Sequence, residues 1–389
     1  MIADLRRRMT MLAMQAEEDM GDTFCVESID DNNVITFGSN TWLGSLVSSK
    51  KANVYLQVKK EKTSLANVSS ITLNAGDKLY FINDDTYITK TGVNTSPLFN
   101  TSGRFNIAGD LCKFLWGTYN SVRNYACNYM FSNTQVVDAS KLVLKVSHIF
   151  TPNALLGTGN YVFGYMFNNC TMLEYPPQLP EVAKLGLYSH QYMFYNCLSL
   201  KYAPELPSTL INNRCYLYMF YNCKSLTAAP ALPATKLLAG CYLGMFRNCE
   251  SLVKTPELPA TTLADGCYYE MFANCSSLIE PPELPAKTLS DSCYAYAFAG
   301  CTLLSKSPIL PATKYVTSAY SYIFYGCTNM STITCLLENL DGNSTFSYWV
   351  TGVADFGVFY KSPNVTIEEI KSTGTLFLPN DWEVKDYEG

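Results

Sequence analysis

The chain has 389 residues, of which 48% are hydrophobic and 16% are charged, and its formal net charge is −5. This length exceeds that of one compact domain, and the negative charge excludes a general attraction to nucleic acid. We therefore expect no nucleic-acid partner. No apolar run approaches the roughly 18 residues of a spanning helix, so we expect no membrane span either.

Residues 1–22 predict a helical anchor. They lack proline, consist mainly of good helix formers up to residue 20, and carry apolar residues at the a/d spacing of about two heptads. We expect this anchor to pair with copies of itself, giving a homo-oligomer, or to dock on a larger assembly. The alternative is a frayed terminal helix with solvated charges. The residues assigned to the anchor are Ile2, Leu5, Arg6, Arg7, Arg8, Met9 and Leu12.

Residues 23–121 contain a pattern of predicted strands and turns that indicates a β-domain. The segments FCVESI (24–29) and VITF (34–37) flank the turn cluster DDNN, which is suited to a hairpin. Further strands with polar alternation are predicted at 53–60, 70–73, 78–82 and 104–107. We expect a small antiparallel sandwich or barrel.

Residues 122–335 contain an internal repeat. One phenylalanine recurs first after 27 residues and then five times after 26, and a leucine and a proline keep step with it. A fixed period of this length indicates stacked units that bury a continuous core together. We call one such unit a rung. The repeated phenylalanines are Phe167, Phe194, Phe220, Phe246, Phe272, Phe298 and Phe324.

Each rung predicts a short helical turn before the phenylalanine and a short extended segment after it. Asn196, Asn222 and their equivalents, replaced later by Gly300 and Gly326, suit a left-handed turn that ends the helix. Prolines in the next segment keep any strand brief or bulged. This is the order of a leucine-rich repeat. Residues 336–389 are expected to cap the stack, with Trp349, Phe356 and Phe359 as its apolar residues.

The sequence as a whole therefore predicts a mixed α/β fold. An N-terminal helix precedes a small antiparallel β-domain, and a leucine-rich-repeat solenoid of about 26 residues per rung follows, with a C-terminal cap.

The cysteines follow the repeat. Of the 15 cysteines, seven stand three residues after the phenylalanine and four stand five residues before it. Zinc is disfavoured because paired ligands are normally two to four residues apart and the chain has only two histidines. Disulfides between rungs stay open, since adjacent rungs lie about 4.8 Å apart. We predict buried core thiols and no metal site.

Catalytic and cofactor-binding residues are not predicted. His190 occupies a column of aromatic residues and is interpreted as one of them, and His148 has no recognisable partner. No glycine-rich phosphate loop with its lysine is present. A carboxylate pair for sugar hydrolysis stays open, because stacked rungs bring distant residues together.

The phrases MFYNCKSL (219–226), MFANCSSL (271–278) and AFAGCTLL (297–304) resemble the BspA-like leucine-rich repeats. The resemblance implies a repeat of the kind found in surface proteins of gut bacteria and in virion proteins of their tailed phages. It implies extracellular binding or virion assembly, without universal site residues. The spacing of 36 residues between Phe131 and Phe167 departs from the pattern and predicts an interrupted rung.

The extended segment of each rung suggests a ligand face. If strand alternation holds, the residue before its leucine points outward. The possible ligand face is Tyr175, Tyr202, Glu205, Glu257 and Glu283. The alternative is a merely soluble exterior. Two tyrosine columns are interpreted as packing residues: Tyr216 to Tyr320, and Tyr192, Tyr218, Tyr296 and Tyr322.

The resemblance leads to a functional hypothesis. We expect a non-enzymatic bacteriophage virion structural protein, of head or tail fibre or decoration type, assembled in the host cytoplasm. It would contact other virion proteins through its N-terminal helix and bind a host-surface glycan or protein through the repeat. The alternative is a bacterial cell-surface adhesin, which the apparent lack of an export signal disfavours. A glycan-degrading fibre is a third hypothesis.

Overall fold

The computed structural model describes residues 22–45, 54–59, 61–83, 95–116, 124–144, 159–182, 184–338, 345–366 and 378–389. The predicted anchor residues and His148 lie outside these ranges.

Two small sheets form the N-terminal part of the described chain. The first has the order β4-β3-β6-β1-β8-β9, and the second has the order β5-β2-β7. All pairs are antiparallel except β8 with β9. The strands are β1 (Cys25–Ser28), β2 (Asn33–Thr36), β3 (Val54–Val58), β4 (Glu61–Ser64), β5 (Ser70–Leu73), β6 (Lys78–Asn83), β7 (Asn100–Thr101), β8 (Phe105–Asp110) and β9 (Val136–Val143).

The predicted hairpin between β1 and β2 is wrong. β1 pairs with β6 and β8, whereas β2 pairs with β5 and β7 in the other sheet. The turn after β1 and the first residue of β2 are bonded to the connection before β8: Asp30 accepts the N–H of Arg104 at 2.7 Å, and the Asn33 amide donates to the carbonyl of Arg104 at 3.1 Å. The two strands instead bury Val26 and Ile35 in a common core.

The mixed α/β prediction is wrong as well, because the described chain is nearly all β. Its helical segments are the 3-10 turn Leu65–Asn67 and α1 (Leu111–Trp116). The predicted helix of each rung is a series of linked β-turns, which we call the turn ribbon. In the ribbon at 188–197, φ is +55°, +54° and +62° at Tyr188, Tyr192 and Asn196, and these left-handed residues interrupt any helix.

The hydrogen bonds of the turn ribbon explain this geometry. The N–H groups of Gln191 and Met193 donate to the carbonyls three residues earlier, whereas the N–H groups of Tyr192 and Phe194 donate to the next rung. In an α-helix every N–H would donate within its own segment. Half of the donors therefore join neighbouring rungs.

A four-residue alternation places the side chains of the turn ribbon. Cys215 and Tyr216 are buried, the next two residues are half-buried on the outer surface, and Met219 and Phe220 are buried again. The repeated phenylalanines stack along the solenoid, with 5.5 Å between the ring centroids of Phe194 and Phe220. The predicted left-handed column is confirmed, with φ between +60° and +73° at its members Asn196, Asn222, Asn248, Asn274, Gly300 and Gly326.

The extended segments form a parallel ladder of uneven length. A third sheet, in which every pair is parallel, contains β10 (Lys306–Leu310), β11 (Thr332–Cys335), β12 (Phe356–Lys361) and β13 (Asp381–Asp386), in that order. In the proline-rich rungs before it, the ladder is reduced to isolated bridges such as Ala228 with Lys254. This confirms that the prolines keep the strands brief.

The C-terminal rungs continue the same core. Trp349 and Phe359 are buried, with 6.0 Å between their ring centroids. Phe356 was expected to pack with them, but it is 70% exposed at the start of β12. Its exposure corrects that prediction.

Candidate ligand-binding surfaces

The repeated cysteine is a hydrogen-bond donor inside the core. The thiol of Cys223 donates to the carbonyl of Phe194 at 3.1 Å, and that of Cys249 donates to Phe220 at 3.1 Å in the next rung. All fifteen cysteines are free and buried, and burial raises the pKa of the Cys249 thiol to about 12. The prediction of core thiols is confirmed. No metal-binding group of three or more His, Cys, Asp or Glu side chains occurs among the described residues.

His190 is an aromatic filler, as predicted. It is buried between Phe163 and Tyr216, whose ring centroids lie 5.2 and 5.5 Å away, and its Nδ1 lies 2.9 Å from the Ser189 hydroxyl. Burial lowers the pKa of His190 to about 3. Its ring is therefore neutral and enclosed at physiological pH.

The inner tyrosine column beside His190 confirms the interpretation as packing residues. Tyr216, Tyr242, Tyr268, Tyr294 and Tyr320 are at most 1% exposed and stack with 5.6–6.1 Å between consecutive centroids. The last four of these hydroxyls are buried without a hydrogen-bond partner. Their pKa values are raised by burial, so they are neutral.

The predicted ligand face lies on the side of the parallel ladder. Tyr175 and Tyr202 are 39% and 60% exposed, and their ring centroids are 5.8 Å apart. Lys201 pairs with Glu174 at 2.6 Å beside them. Glu205, Glu257 and Glu283 are exposed as expected, one to each of three rungs. Because an alanine at 231 separates the first from the second, these carboxylates form no continuous row.

The outer surface of the turn ribbon carries aromatic rings that the sequence interpretation treated as packing residues. The residue two before the phenylalanine points outward, and we call this column the outer tyrosine face. Its rings form two ladders with 4.3–5.4 Å between consecutive centroids, all of them stacked except Tyr192 and Tyr218, whose planes are tilted by 38°. The first ladder is Tyr129, Tyr165, Tyr192 and Tyr218, and the second is Tyr296, Tyr322 and Tyr348.

Shorter stacks border the outer tyrosine face. Tyr125, Tyr161 and Tyr188 stack with 4.8 Å between centroids, and the guanidinium of Arg214 donates to the Tyr188 hydroxyl at 2.8 Å. Tyr195 and Tyr221 stack at 4.7 Å. Tyrosine has a wide apolar body and a polar tip, and it loses little conformational entropy on binding, so such a surface suits recognition. The outward position could have been found from the four-residue alternation.

A charged cluster interrupts the outer tyrosine face between the two ladders. There Gly244 and Glu270 occupy the column. The Tyr218 hydroxyl donates to Glu270 at 3.1 Å, and Arg247 forms an ion pair with the same carboxylate. The guanidinium of Arg247 lies 5.8 Å from the ring centroid of Tyr221. Here Glu270 replaces a ring of the face, and Arg247 replaces a ring of the neighbouring column that holds Tyr195 and Tyr221.

A ladder of asparagine amides runs beside the outer tyrosine face. Four of its side-chain amides donate to the amide oxygen of the preceding rung: Asn169 to Asn133 at 3.0 Å, Asn196 to Asn169 at 2.9 Å, Asn222 to Asn196 at 2.5 Å and Asn274 to Asn248 at 2.8 Å. The ladder ends at Gly300, where a Cβ atom would lie 2.2 Å from Oδ1 of Asn274.

The stacked turn ribbons, the parallel ladder and the inner columns of Phe, Leu and Cys define a leucine-rich-repeat solenoid. A family model described as "BspA type Leucine rich repeat region (6 copies)" matches residues 143–279, 187–303 and 245–350, which together span more than half of the chain. The chain belongs to this BspA-type family, as its repeat phrases indicated. No curated protein and no solved structure matches the chain.

The family carries a coarse functional meaning. BspA-type repeats suggest a surface or extracellular protein with a module for surface binding or adhesion, and the family is typically non-enzymatic. No helix in the described ranges is both long and apolar enough to cross a membrane.

Proposed function

We propose that this protein is a non-enzymatic virion structural protein, a fibre or decoration component of a tailed phage, whose solenoid binds a glycan on the host surface. The outer tyrosine face is the observation that carries the binding part of this proposal. Seven tyrosines of one column lie on the outer surface of the solenoid, six of them half-buried and Tyr348 58% exposed. A surface rich in tyrosine is typical of recognition interfaces.

The virion part rests on the family resemblance and on the predicted attachment of residues 1–22 to copies of the chain or to other virion proteins. A bacterial cell-surface adhesin is the second candidate, since the BspA-type repeat by itself suggests surface binding. The non-enzymatic part is supported by the enclosed, neutral His190 and by the usual character of the family.

Binding is tested by incubating the fluorescently labelled full chain with intact gut bacteria and measuring the bound fraction by flow cytometry. Periodate, which cleaves vicinal diols of sugars, should abolish binding, whereas protease treatment of the cells should leave it intact. Equal binding before and after periodate would contradict a glycan receptor.

Whether the protein is part of a phage particle or of a bacterial surface is tested separately, with an antibody against the chain. We expect gold-labelled antibody to decorate purified phage particles in electron micrographs. Label on bacterial envelopes and none on particles would favour the adhesin.

A further inference from the structure

The two tyrosine ladders leave a gap two rungs wide, at Gly244 and Glu270. A ring inside a ladder is covered on both faces, as Tyr322 is by Tyr296 at 4.3 Å and Tyr348 at 5.0 Å. On its gap side Tyr296 faces position 270, which carries no ring. The nearby ring of Tyr269 is 5.6 Å away and tilted by 51°, so it does not stack on Tyr296. This face of the half-buried Tyr296 therefore has no ring stacked on it, unlike the rings inside the ladders.

The far wall of the gap is built from Tyr218. A Cβ atom on Gly244 would lie 2.1 Å from Cε1 of Tyr218, so the absence of a side chain at 244 lets that ring lean into the gap. Its hydroxyl then reaches Glu270, which is 52 residues and two rungs further on. Arg247 holds the same carboxylate from the side. Polar groups are thus fixed opposite the open face of Tyr296.

The positions nearest Tyr296 carry small side chains. Ala295 precedes it, and Ala273 and Ala299 occupy the column that holds Arg247 in the rung before them; the three alanines are 4%, 2% and 7% exposed at positions 273, 295 and 299. Their methyl groups add little bulk to this part of the outer surface.

The chemistry of the gap selects a neutral polyhydroxylated ligand. The carboxylate of Glu270 and the guanidinium of Arg247 compensate each other, so the gap offers no net charge to an ionic ligand. A carboxylate has about four acceptor positions, and Tyr218 and Arg247 use only part of them. The side chains of Glu270 and Arg247 keep 13% and 32% exposure, which leaves both accessible to a hydroxyl group.

We propose that this gap binds a neutral hexopyranose unit of a glycan, with the C–H face of the sugar on Tyr296 and its hydroxyls bonded to Glu270 and Arg247. The inference rests on the proposed function and specifies where on the solenoid a glycan is bound and of which class it is. The binding needs only non-covalent contacts, and an aromatic ring face with a few fixed polar groups is a usual component of a small-ligand site.

The test uses the full chain and a panel of neutral oligosaccharides built from glucose, galactose, mannose and N-acetylglucosamine, with affinity measured by isothermal titration calorimetry. Tyr296→Ala should weaken binding by about tenfold or more, as truncation of an aromatic hot spot does. Tyr296→Phe keeps the ring face and should stay within about threefold of the wild type. Gly244→Ala displaces Tyr218 and should also weaken binding.

The matched control is Tyr315→Ala, the same change at a 43% exposed tyrosine outside both proposed faces, which should leave the affinity unchanged. Urea midpoints equal to that of the wild type would show that the variants are folded. The comparison with Tyr296→Phe is a second control, because this variant keeps the ring and loses only the hydroxyl. Loss of affinity in Tyr202→Ala, on the predicted ligand face, but not in Tyr296→Ala would overturn the inference and leave the proposed function standing. If the chain binds periodate-treated cells and binds no oligosaccharide, the receptor is not a glycan, and a protein receptor is indicated. Failure to bind either cells or sugars would refute both proposals.

Discussion

The asparagine ladder gives a prediction whose size can be worked from the structure. Asn222→Ala removes a side-chain amide that donates to Asn196 at 2.5 Å, and it places alanine at φ +60°. The net loss of a partly exposed hydrogen bond is about 0.5–1.5 kcal/mol. The left-handed conformation costs alanine roughly 1 kcal/mol more than asparagine, because the short polar side chain of asparagine can form local hydrogen bonds in it. We expect a destabilisation of about 2 kcal/mol.

Asn222→Gly separates the two terms. Glycine also loses the amide but adopts positive φ without strain, so its cost should be about 1 kcal/mol, the hydrogen bond plus the entropy of the unfolded chain. The chain itself places Gly300 and Gly326 in this column. As a matched control, Asn329→Ala changes an exposed asparagine that lies outside the ladder and should alter stability by less than about 0.5 kcal/mol.

The assay is urea denaturation followed by near-ultraviolet circular dichroism of the tyrosines, with free energies of unfolding obtained by linear extrapolation. The expected order of stability is wild type, then glycine, then alanine. An alanine variant as stable as the glycine variant would refute the assignment of backbone strain to this column.

Three further predictions concern the interior. Tyr268→Phe removes a buried hydroxyl that has no partner and should raise stability by about 1 kcal/mol in urea denaturation, while a loss would indicate a buried water bonded to it. Because the pKa of His190 is lowered to about 3, the unfolded chain takes up this proton first, and stability should fall below pH 6.5 towards pH 3. His190→Phe should remove up to about 1.4 kcal/mol per pH unit of that loss, and parallel pH profiles would contradict this. Iodoacetamide at pH 8 should label none of the fifteen cysteines in the folded chain and all of them in urea, as counted by mass spectrometry; fast labelling of a folded core thiol would contradict their burial.

Much of the fold could be predicted from the repeat. The period, the buried Phe and Cys columns, the left-handed asparagines and the brief strands all follow from which residue types recur at which position. The turns of each rung were wrongly predicted as helix, because a run such as CYYEMF contains no proline or glycine that would exclude a helical turn. Tertiary hydrogen bonds override local propensity, since half of the N–H groups donate to the next rung.

The strands that pair with β1 and β2 could not be predicted from the neighbouring sequence either. A turn cluster between two strands favours a hairpin, but Asp30 and Asn33 bond to residues at least seventy positions away. For the candidate site, the exposure of Glu205, Glu257 and Glu283 follows from alternation. The outer tyrosine face was missed because its rings recur with the same period as the core rings, and only the four-residue alternation of the turn ribbon separates them.

The most direct test of the account is hydroxyl-radical footprinting of the full chain, alone and bound to receptor-bearing cells. Oxidation of individual tyrosines is read by mass spectrometry. Binding through the outer tyrosine face predicts protection of Tyr296, Tyr322 and Tyr348, with Tyr202 oxidised equally in both states. Protection of Tyr202 with no change at Tyr296 would place the receptor on the opposite side of the solenoid and contradict the account.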